Sequence, residues 1–346
     1  VPLNRISEGY GYDGLNISRQ VMAGWMIRLS DYYLDSVHQM MKDELKKAPL
    51  IHCDESPFTM SGEKDANDPQ SKNYMWVYHS PGIQDSKKIY LYEYDNGSRS
   101  AAVIDRYLEG YKGILVSDGY ASCHTLDRKH DDLKVAGCWV HCKRKYAEIV
   151  KTAKKGAALS PAQQIAREAA ERIAVIFHMD NLSRGKSSQE IFDNRQQSVK
   201  PLVDAFFAWI KDIQDNKIIS STDLKKALTY SVNQGKYLRV FLESAIIPLD
   251  NDDAEHSIKK FCVGKHSWHI IDSKKGAKAS AILYSIAETA KANGLNPFEY
   301  FKFLMEQLKE YPRNDVPEKE LKKLMPWSET LPDCCKQLKK QSKNAI

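Results

Sequence analysis

The order in which strand and helix patterns follow one another constrains the fold of this chain more than any other sequence feature. Residues 50–53, 74–79 and 88–94 show the short apolar runs or the alternation of strands, and two further apolar runs follow at 113–117 and 133–139. Helical patterns separate the third, fourth and fifth of these runs. The sequence therefore predicts three strands, a helix, a strand, a helix and a last strand.

That order predicts an α/β fold with a mixed sheet. Strands joined by a tight turn are antiparallel, and Ser80-Pro81-Gly82 is such a turn between the second and third strands. Strands joined through a helix are parallel. Three antiparallel strands followed by parallel ones are typical of an RNase H-like mixed sheet. Because the carboxyl ends of parallel strands share one edge, ligands of such sheets bind there.

The remaining segments read as helical. Ser18 is a candidate N-terminal cap for a helix in the first segment, and Asn293-Gly294 is a candidate C-terminal cap for a helix over 277–292. Residues 143–245 contain no strand pattern, which predicts an all-α insertion. We therefore expect a helical N-terminal extension, a sheet core in two parts around the insertion, and a C-terminal tail. The predicted bounds are 1–49, 50–145, 146–247, 248–310 and 311–346.

Composition excludes some classes of protein and leaves others open. The 51 Lys and Arg against 45 Asp and Glu leave a net charge of +6, which allows nucleic acid as a partner without establishing it. No apolar run is long enough for a membrane span, and the first residues do not resemble a secretory signal. The seven Cys, an odd number, favour free thiols in a reducing compartment. We expect a cytoplasmic protein.

Three acidic residues stand at the ends of predicted elements. Asp54 follows the first strand, which Pro57 is expected to bound. Asp118 follows the fourth strand, and Glu255 lies in a helix that is predicted to begin near Asp250. Mg²⁺ prefers oxygen ligands, and two such ions can activate an attacking oxygen and stabilise a leaving one in phosphate chemistry. Each acid alone is more simply a cap or a solvated side chain, so the joint pattern carries the hypothesis.

Ordered sequence blocks identify a family resemblance. They are HCDESP at 52–57, SDGY at 117–120, GCWVH at 137–141, DNDDAEHSIK at 250–259 continuing to Trp268, residues 276–295, and LMPW at 324–327. Together they resemble the insertion sequence 66 family of DDE transposases over roughly residues 1–330. That family usually has Arg directly after the glutamate and Arg-Pro four and five residues on, where this chain has His256, Lys259 and Lys260.

The resemblance implies an activity and its site. It implies that Asp54, Asp118 and Glu255 are the catalytic triad and the ligands of two Mg²⁺ ions, for which Mn²⁺ substitutes. Asp54 is then expected to bridge the ions. The implied reaction cuts DNA at transposon ends and joins the freed 3′-hydroxyl to target DNA. The implied protein is a homo-oligomer on DNA, associated with the bacterial nucleoid when bound.

Basic residues flank two of these blocks and are candidates for phosphate neutralisation. Trp268 either stacks on an unpaired base or is a core residue. The candidate DNA-binding residues are His141, Lys143, Arg144, Lys145, Lys259, Lys260, Lys265 and Trp268.

Cys138, His141 and Cys142 suggest zinc by residue type, but a zinc site needs three or four ligands and no second Cys or His pair stands out. His141 is expected near the active edge, where it touches phosphate or orients a carboxylate, and the two cysteines are expected to be core thiols.

Two other functions share these features. An RNase H-like nuclease would cut without joining, and an inactive relic of a transposase would bind DNA without binding metal at the three acids. Only an assay of joining and a titration of metal separate them.

Overall fold

The computed structural model describes residues 2–61, 72–119, 121–154, 156–216 and 221–336. Within these ranges the chain is mixed α/β, with six strands and fourteen α-helices. It divides into two compact units, the first being Val1–Tyr111 with Asp253–Ile346 and the second Lys112–Asp252. No described helix is both long and apolar enough to cross a bilayer.

The elements follow in the predicted order. The strands are β1 Leu50–Met60, β2 Asn73–Pro81, β3 Lys88–Glu93, β4 Gly113–Ser117, β5 Leu133–Gly137 and β6 Ile270–Ile271. The helices are α1 Leu3–Tyr12, α2 Arg19–Leu29, α3 Asp35–Leu45, α4 Ala101–Tyr107, α5 Ala121–Lys129, α6 Trp139–Lys151, α7 Pro161–Asn181, α8 Ser188–Asn194, α9 Lys200–Asn216, α10 Thr222–Arg239, α11 Asp252–Trp268, α12 Lys274–Ala292, α13 Pro297–Leu308 and α14 Glu318–Leu324.

The first unit contains an antiparallel sheet in the order β3-β2-β1. Asp54 of β1 lies opposite Val77 of β2, and Val77 lies opposite Tyr92 of β3. At the far end of β1, the short strand β6 pairs in parallel, with Thr59 opposite Ile270. The antiparallel pairing of these first three strands, predicted from the turn after Ser80, is therefore confirmed.

The core of this unit lies between the sheet and helices α11 and α12. Tyr92 ties both helices to β3, because its hydroxyl donates to the carbonyl of Ser257 (2.6 Å) and its amide donates to the hydroxyl of Ser285 (2.8 Å). Burial of apolar side chains here supplies the main stabilisation of the unit. The cluster comprises Phe58, Met60, Met75, Val77, Tyr92, Tyr94, Ile258, Phe261, Ile271, Ala277 and Ala281.

One strand is longer than predicted, and this corrects the position of a candidate site residue. β1 continues through Pro57 to Met60, so Asp54 lies within the strand and does not end it. Proline lacks an amide hydrogen, yet a strand tolerates it where no neighbouring strand needs that hydrogen. Residues of β1 both before and after Asp54 are paired with β2, so the backbone of Asp54 is restricted more than it would be at the end of a strand.

The second unit contains a parallel pair, β4 and β5, followed by helices. The pair is in register from Gly113 opposite Leu133 to Ser117 opposite Gly137, and no described residue from 143 to 245 lies in a strand. The predicted lack of strands in this stretch is thus confirmed for the described residues, and its separation as an insertion stays a prediction. The fifth strand ends at Gly137 rather than at Trp139, because Trp139 begins α6 and its indole donates to the carbonyl of Leu238 (2.8 Å).

A buried arginine holds the segment that follows α10. Arg195 lies in a π-helical turn between α8 and α9, with its side chain only 4% exposed. One of its terminal nitrogens, Nη1, donates to the carbonyls of Phe241, Ser244 and Ile247 at 2.6–2.9 Å. Its other side pairs with Asp180, the Nε–Oδ1 distance being 2.7 Å.

Predicted helix ends are confirmed where a local signal exists. The Ser18 hydroxyl accepts from the amide of Val21, and Asn293 ends α12 with Gly294 following at φ 74°. The five-part division of the chain and the RNase H-like arrangement of its sheet stay predictions.

Candidate functional site

Asp54 is held on a paired strand, on the face of β1 that packs against α11. Its Oδ1 accepts from the amide of Glu55 at 2.8 Å. Glu55 points to the opposite face by the alternation of the strand and pairs with Arg99, with Nε 2.7 Å from Oε1. Asp54 therefore shares its face with Ser56 and Phe58, whereas Glu55 forms a separate structural ion pair.

Three contacts join this face of β1 to α11. The Ser56 hydroxyl lies 3.1 Å from the Cys262 sulfur, and the rings of Phe58 and Phe261 have centroids 5.8 Å apart. The Lys265 ammonium donates to the carbonyl of Pro57 at 2.7 Å. The second half of α11 is thus anchored to the second half of β1.

The same contacts fix the direction of the helix along the strand. Farther along both elements, Ile270 pairs with Thr59, so β1 and α11 run the same way. Glu255 precedes Cys262 by two helical turns on the same helix face, and Asp54 precedes Ser56 by one pleat on the same strand face. Both carboxylates are half-buried. The fold therefore brings Asp54 and Glu255 to the same end of the helix–strand contact.

A row of three rings, of which the two histidines are buried, lies beside Asp54 and was not predicted from the sequence. His52 of β1 lies opposite His79 of β2, with ring centroids 6.0 Å apart, and His79 stacks on Tyr90 at 4.0 Å. Burial lowers the pKa of His79 to about 4, helped by His52 and opposed by Asp253. His79 is consequently neutral near pH 7, and its Nδ1 donates to the carbonyl of Ile89 (2.9 Å). No local pattern marks such a cross-strand stack.

Asp118 lies in the second unit, directly after β4 as predicted. The hydroxyl of Tyr230 on α10 donates to the carbonyl of Asp118 at 3.0 Å. The amide of Gln234, one turn later, donates to the carbonyl of Gly119 at 3.3 Å. Gly119 has φ 89°, a left-handed conformation that glycine adopts without strain. The Asp118 turn is thus supported by a helix distant in sequence.

The first turn of α6 lies at the same edge of the parallel pair, because Ser117 and Gly137 are in register. His141 accepts at Nε2 from Nη1 of Arg144 (3.2 Å), since a guanidinium only donates. Cys138 and Cys142 are buried, and burial raises the pKa of each thiol to about 12. The expectation of core thiols is therefore confirmed for these two cysteines.

The predicted basic residues occupy different environments. Arg144, Lys145, Lys259 and Lys260 are exposed and Lys143 is half-buried, whereas Lys265 is committed to the backbone of β1. Trp268 ends α11 and packs edge-on against Phe261 with centroids 5.5 Å apart. That contact places Trp268 against the core cluster, and its role in base stacking stays a prediction.

The described residues contain no group of three or more His, Cys, Asp or Glu side chains arranged to hold a metal ion. The assignment of Asp54, Asp118 and Glu255 as catalytic residues and metal ligands therefore stays a prediction, as do the DNA contacts.

Known proteins similar to this chain include two uncharacterized proteins of Sinorhizobium fredii. The protein y4qI is 24% identical over 338 residues, which is 95% of this chain and 59% of that protein. The protein y4hP is 24% identical over 342 residues, or 94% of this chain and 59% of that protein. The chain thus spans about three fifths of the length of these curated relatives.

Among solved structures, a chain of the Drosophila P element transposase strand transfer complex is similar. It is 13% identical with a TM-score of 0.44, and the match covers 81% of this chain and 88% of that one. A likeness of this strength does not determine the fold in detail.

Family models match nearly the whole chain. The model of the Transposase IS66 family matches residues 1–279, and the model of the IS66 C-terminal element matches residues 285–327. These matches include the blocks that carry Asp54, Asp118 and Glu255 and the LMPW block near the end. The resemblance seen in the sequence is therefore confirmed, and the chain belongs to the IS66 family of transposases.

Proposed function

We propose that this chain is the catalytic region of a DDE transposase that cuts DNA at the ends of an insertion sequence and joins the freed strand to target DNA. Its family membership supports a transposase. The observation that supports catalysis by this chain is the contact of β1 with α11, which carries Asp54 and Glu255 to the same end of the two elements. The resemblance to DDE transposases implies such carboxylates on an RNase H-like sheet, and we propose that the sheet of this chain is of that class.

The donor set fits Mg²⁺ better than a soft metal. Asp54 and Glu255 offer carboxylate oxygens, and the nearest cysteine on α11, Cys262, is engaged with Ser56. Mg²⁺ is usually held by one or two carboxylates, with water and substrate phosphate completing its shell, so a closed protein cage is not required. Asp54, Asp118 and Glu255 would hold the ions. The chemistry that bound Mg²⁺ supplies here is activation of the attacking oxygen and stabilisation of the leaving oxygen.

The other residues of the first unit would orient the acids and the DNA. Pairing on β1 restricts the backbone of Asp54, and the anchoring of Lys265 to Pro57 prevents α11 from sliding along the strand. The exposed Lys259 and Lys260, one turn beyond Glu255, would neutralise phosphates of the bound strand. Homo-oligomer assembly on DNA and association with the bacterial nucleoid belong to the same proposal.

The test uses the full-length transposase and DNA that carries the ends of its own element. Asp54→Asn keeps the shape of the side chain but removes its charge. We expect joining to fall by roughly 10³-fold or more, since metal chemistry contributes several kcal/mol to the barrier. The exposed Glu310→Gln serves as the matched control and should retain wild-type joining.

Three outcomes contradict the proposal. Full joining by Asp54→Asn would exclude this residue from catalysis. Cutting without joining by the wild type would favour the nuclease. DNA binding without Mn²⁺ binding, measured by electron paramagnetic resonance, would favour the inactive relic.

A further inference from the structure

The turn that carries Asp118 is held by α10, a helix of the all-α insertion more than a hundred residues later in the chain. Tyr230 and Gln234 lie one turn apart on that helix and donate to consecutive carbonyls, those of Asp118 (3.0 Å) and Gly119 (3.3 Å). Two donors at helical spacing thus match two acceptors of one turn. Together they restrict rotation of the peptide that links Asp118 to Gly119.

The fit between turn and helix leaves no spare room. A Cβ atom at Gly119 would lie 2.7 Å from the Tyr230 hydroxyl and 2.9 Å from Oε1 of Gln234. Gln234 is buried, and its Oε1 has no hydrogen-bond partner among the described residues. The side-chain amide of Gln234 is therefore committed to Gly119, at the cost of leaving a buried acceptor without a partner. The contact of Gln234 with the turn therefore stabilises this arrangement by more than the unpaired acceptor destabilises it.

The helix that makes these contacts is itself rigidly held. Between Tyr230 and Gln234, the hydroxyl of Ser231 lies 2.7 Å from that of Tyr146 on α6. One turn later, Leu238 accepts from the indole of Trp139 at 2.8 Å. Because α6 begins at the edge where β4 and β5 end, the two helices and the strand pair form one packed block. Support from a packed helix holds a side chain more precisely than support from a loop.

We infer that α10 positions the Asp118 carboxylate, with Tyr230 and Gln234 as positioning residues that act through the backbone of Asp118 and Gly119. The inference rests on the proposed function, in which Asp118 is a metal ligand. It gives the all-α insertion a direct part in the catalytic site. Residues that orient a ligand from behind typically change metal affinity or activity by 10–100-fold when they are replaced.

The test compares Tyr230→Phe with Tyr146→Phe in the full-length protein. Each variant removes one tyrosine hydroxyl that makes a hydrogen bond with or from α10. The Tyr146 hydroxyl contacts Ser231 of α10, and the Tyr230 hydroxyl contacts the turn at Asp118. Hydrogen exchange at the amides of Asp118 and Gly119 is measured without metal, and Mn²⁺ affinity is measured by electron paramagnetic resonance. We expect Tyr230→Phe to speed exchange at these amides and to weaken Mn²⁺ binding roughly tenfold. Tyr146→Phe loosens α10 from α6 but leaves both of its contacts with the turn, so we expect a clearly smaller change in both measurements.

A second variant guards against a folding defect. Gln234→Ala removes the other donor and should show the same two changes, in the same direction. Equal effects of Tyr230→Phe and Tyr146→Phe, or no effect of either, would overturn the inference. If the wild type binds no Mn²⁺, the proposed function fails, and the exchange measurement alone then decides whether α10 positions the turn.

Discussion

Replacement of Arg195 by alanine should lower the free energy of unfolding of the second unit more than a surface substitution does. The side chain is 4% exposed and its partner Asp180 is 15% exposed, so the pair is shielded from water. Alanine would leave the Asp180 carboxylate buried without its partner and would strip a donor from three carbonyls, those of Phe241, Ser244 and Ile247.

The expected loss follows from the burial of this pair. Removing one partner of a buried ion pair costs roughly 3–5 kcal/mol, because the remaining charge keeps its desolvation penalty without compensation. Tm should accordingly fall by roughly 10 °C, since each kcal/mol corresponds to about 2–4 °C in a domain of 150–250 residues. Urea unfolding followed by circular dichroism at 222 nm measures the free energy, and a thermal scan measures Tm.

A surface pair on the same helix as Asp180 provides the control. Arg167 and Glu171 are more than half exposed and 3.7 Å apart, so Arg167→Ala should cost at most about 1 kcal/mol. Arg195→Leu combined with Asp180→Leu should recover part of the loss, because no buried charge is left unpaired. If Arg195→Ala lowers the free energy of unfolding no more than Arg167→Ala does, the buried contacts of Arg195 do not stabilise the segment after α10, and the reasoning is refuted.

Two further predictions concern a glycine and a histidine. Gly119→Ala should lower the free energy of unfolding by roughly 1–3 kcal/mol more than Gly185→Ala in urea titrations. Both positions have φ above 80°, but only an added Cβ at Gly119 meets other atoms, so equal losses would contradict the contact with α10. Burial lowers the pKa of His38 to about 4. The hydrogen bond to Tyr92 and the charge of Asp35 oppose this shift, whereas Lys42 and Lys278 add to it. The unfolded state then binds the proton first as pH falls from 6.5 towards 4, so stability is lost in that window by up to about 3 kcal/mol. His38→Gln should show a shallower slope of unfolding free energy against pH there, and an unchanged slope would refute the assignment.

Local signals predicted the elements of this chain well. The Ser18 cap, the Gly294 stop and the order of strands and helices along the chain all depend on residues within a few positions of each other. Pro57 misled the prediction for the same reason. A proline usually ends a strand, but pairing with β2 and then with β6 extends β1 past it, and neither partner is adjacent in sequence.

The candidate site was predictable only as residue identities. Asp54, Asp118 and Glu255 stand in sequence blocks that match the family, but nothing local states which helix supports which acid. The hydrogen bond of Tyr230 to Asp118 and the anchoring of Lys265 to Pro57 join residues that are far apart in the chain. Sequence reasoning therefore missed Tyr230 and Gln234 altogether, and it did not foresee that Lys265 donates to the carbonyl of Pro57 on β1.

The amino-acid sequence by itself determined the mixed α/β class, the helical insertion and membership of the transposase family, because periodicity, caps and motif blocks are local properties of the chain. Only the tertiary structure decided that Asp54 lies within a strand and that Glu255 comes to the same end of the contact between β1 and α11. It also decided that α10 donates hydrogen bonds to the carbonyls of Asp118 and Gly119. Those facts depend on strand register and on the packing of helices against strands. Both are set by contacts between distant residues, whose free energy exists only once the chain has folded.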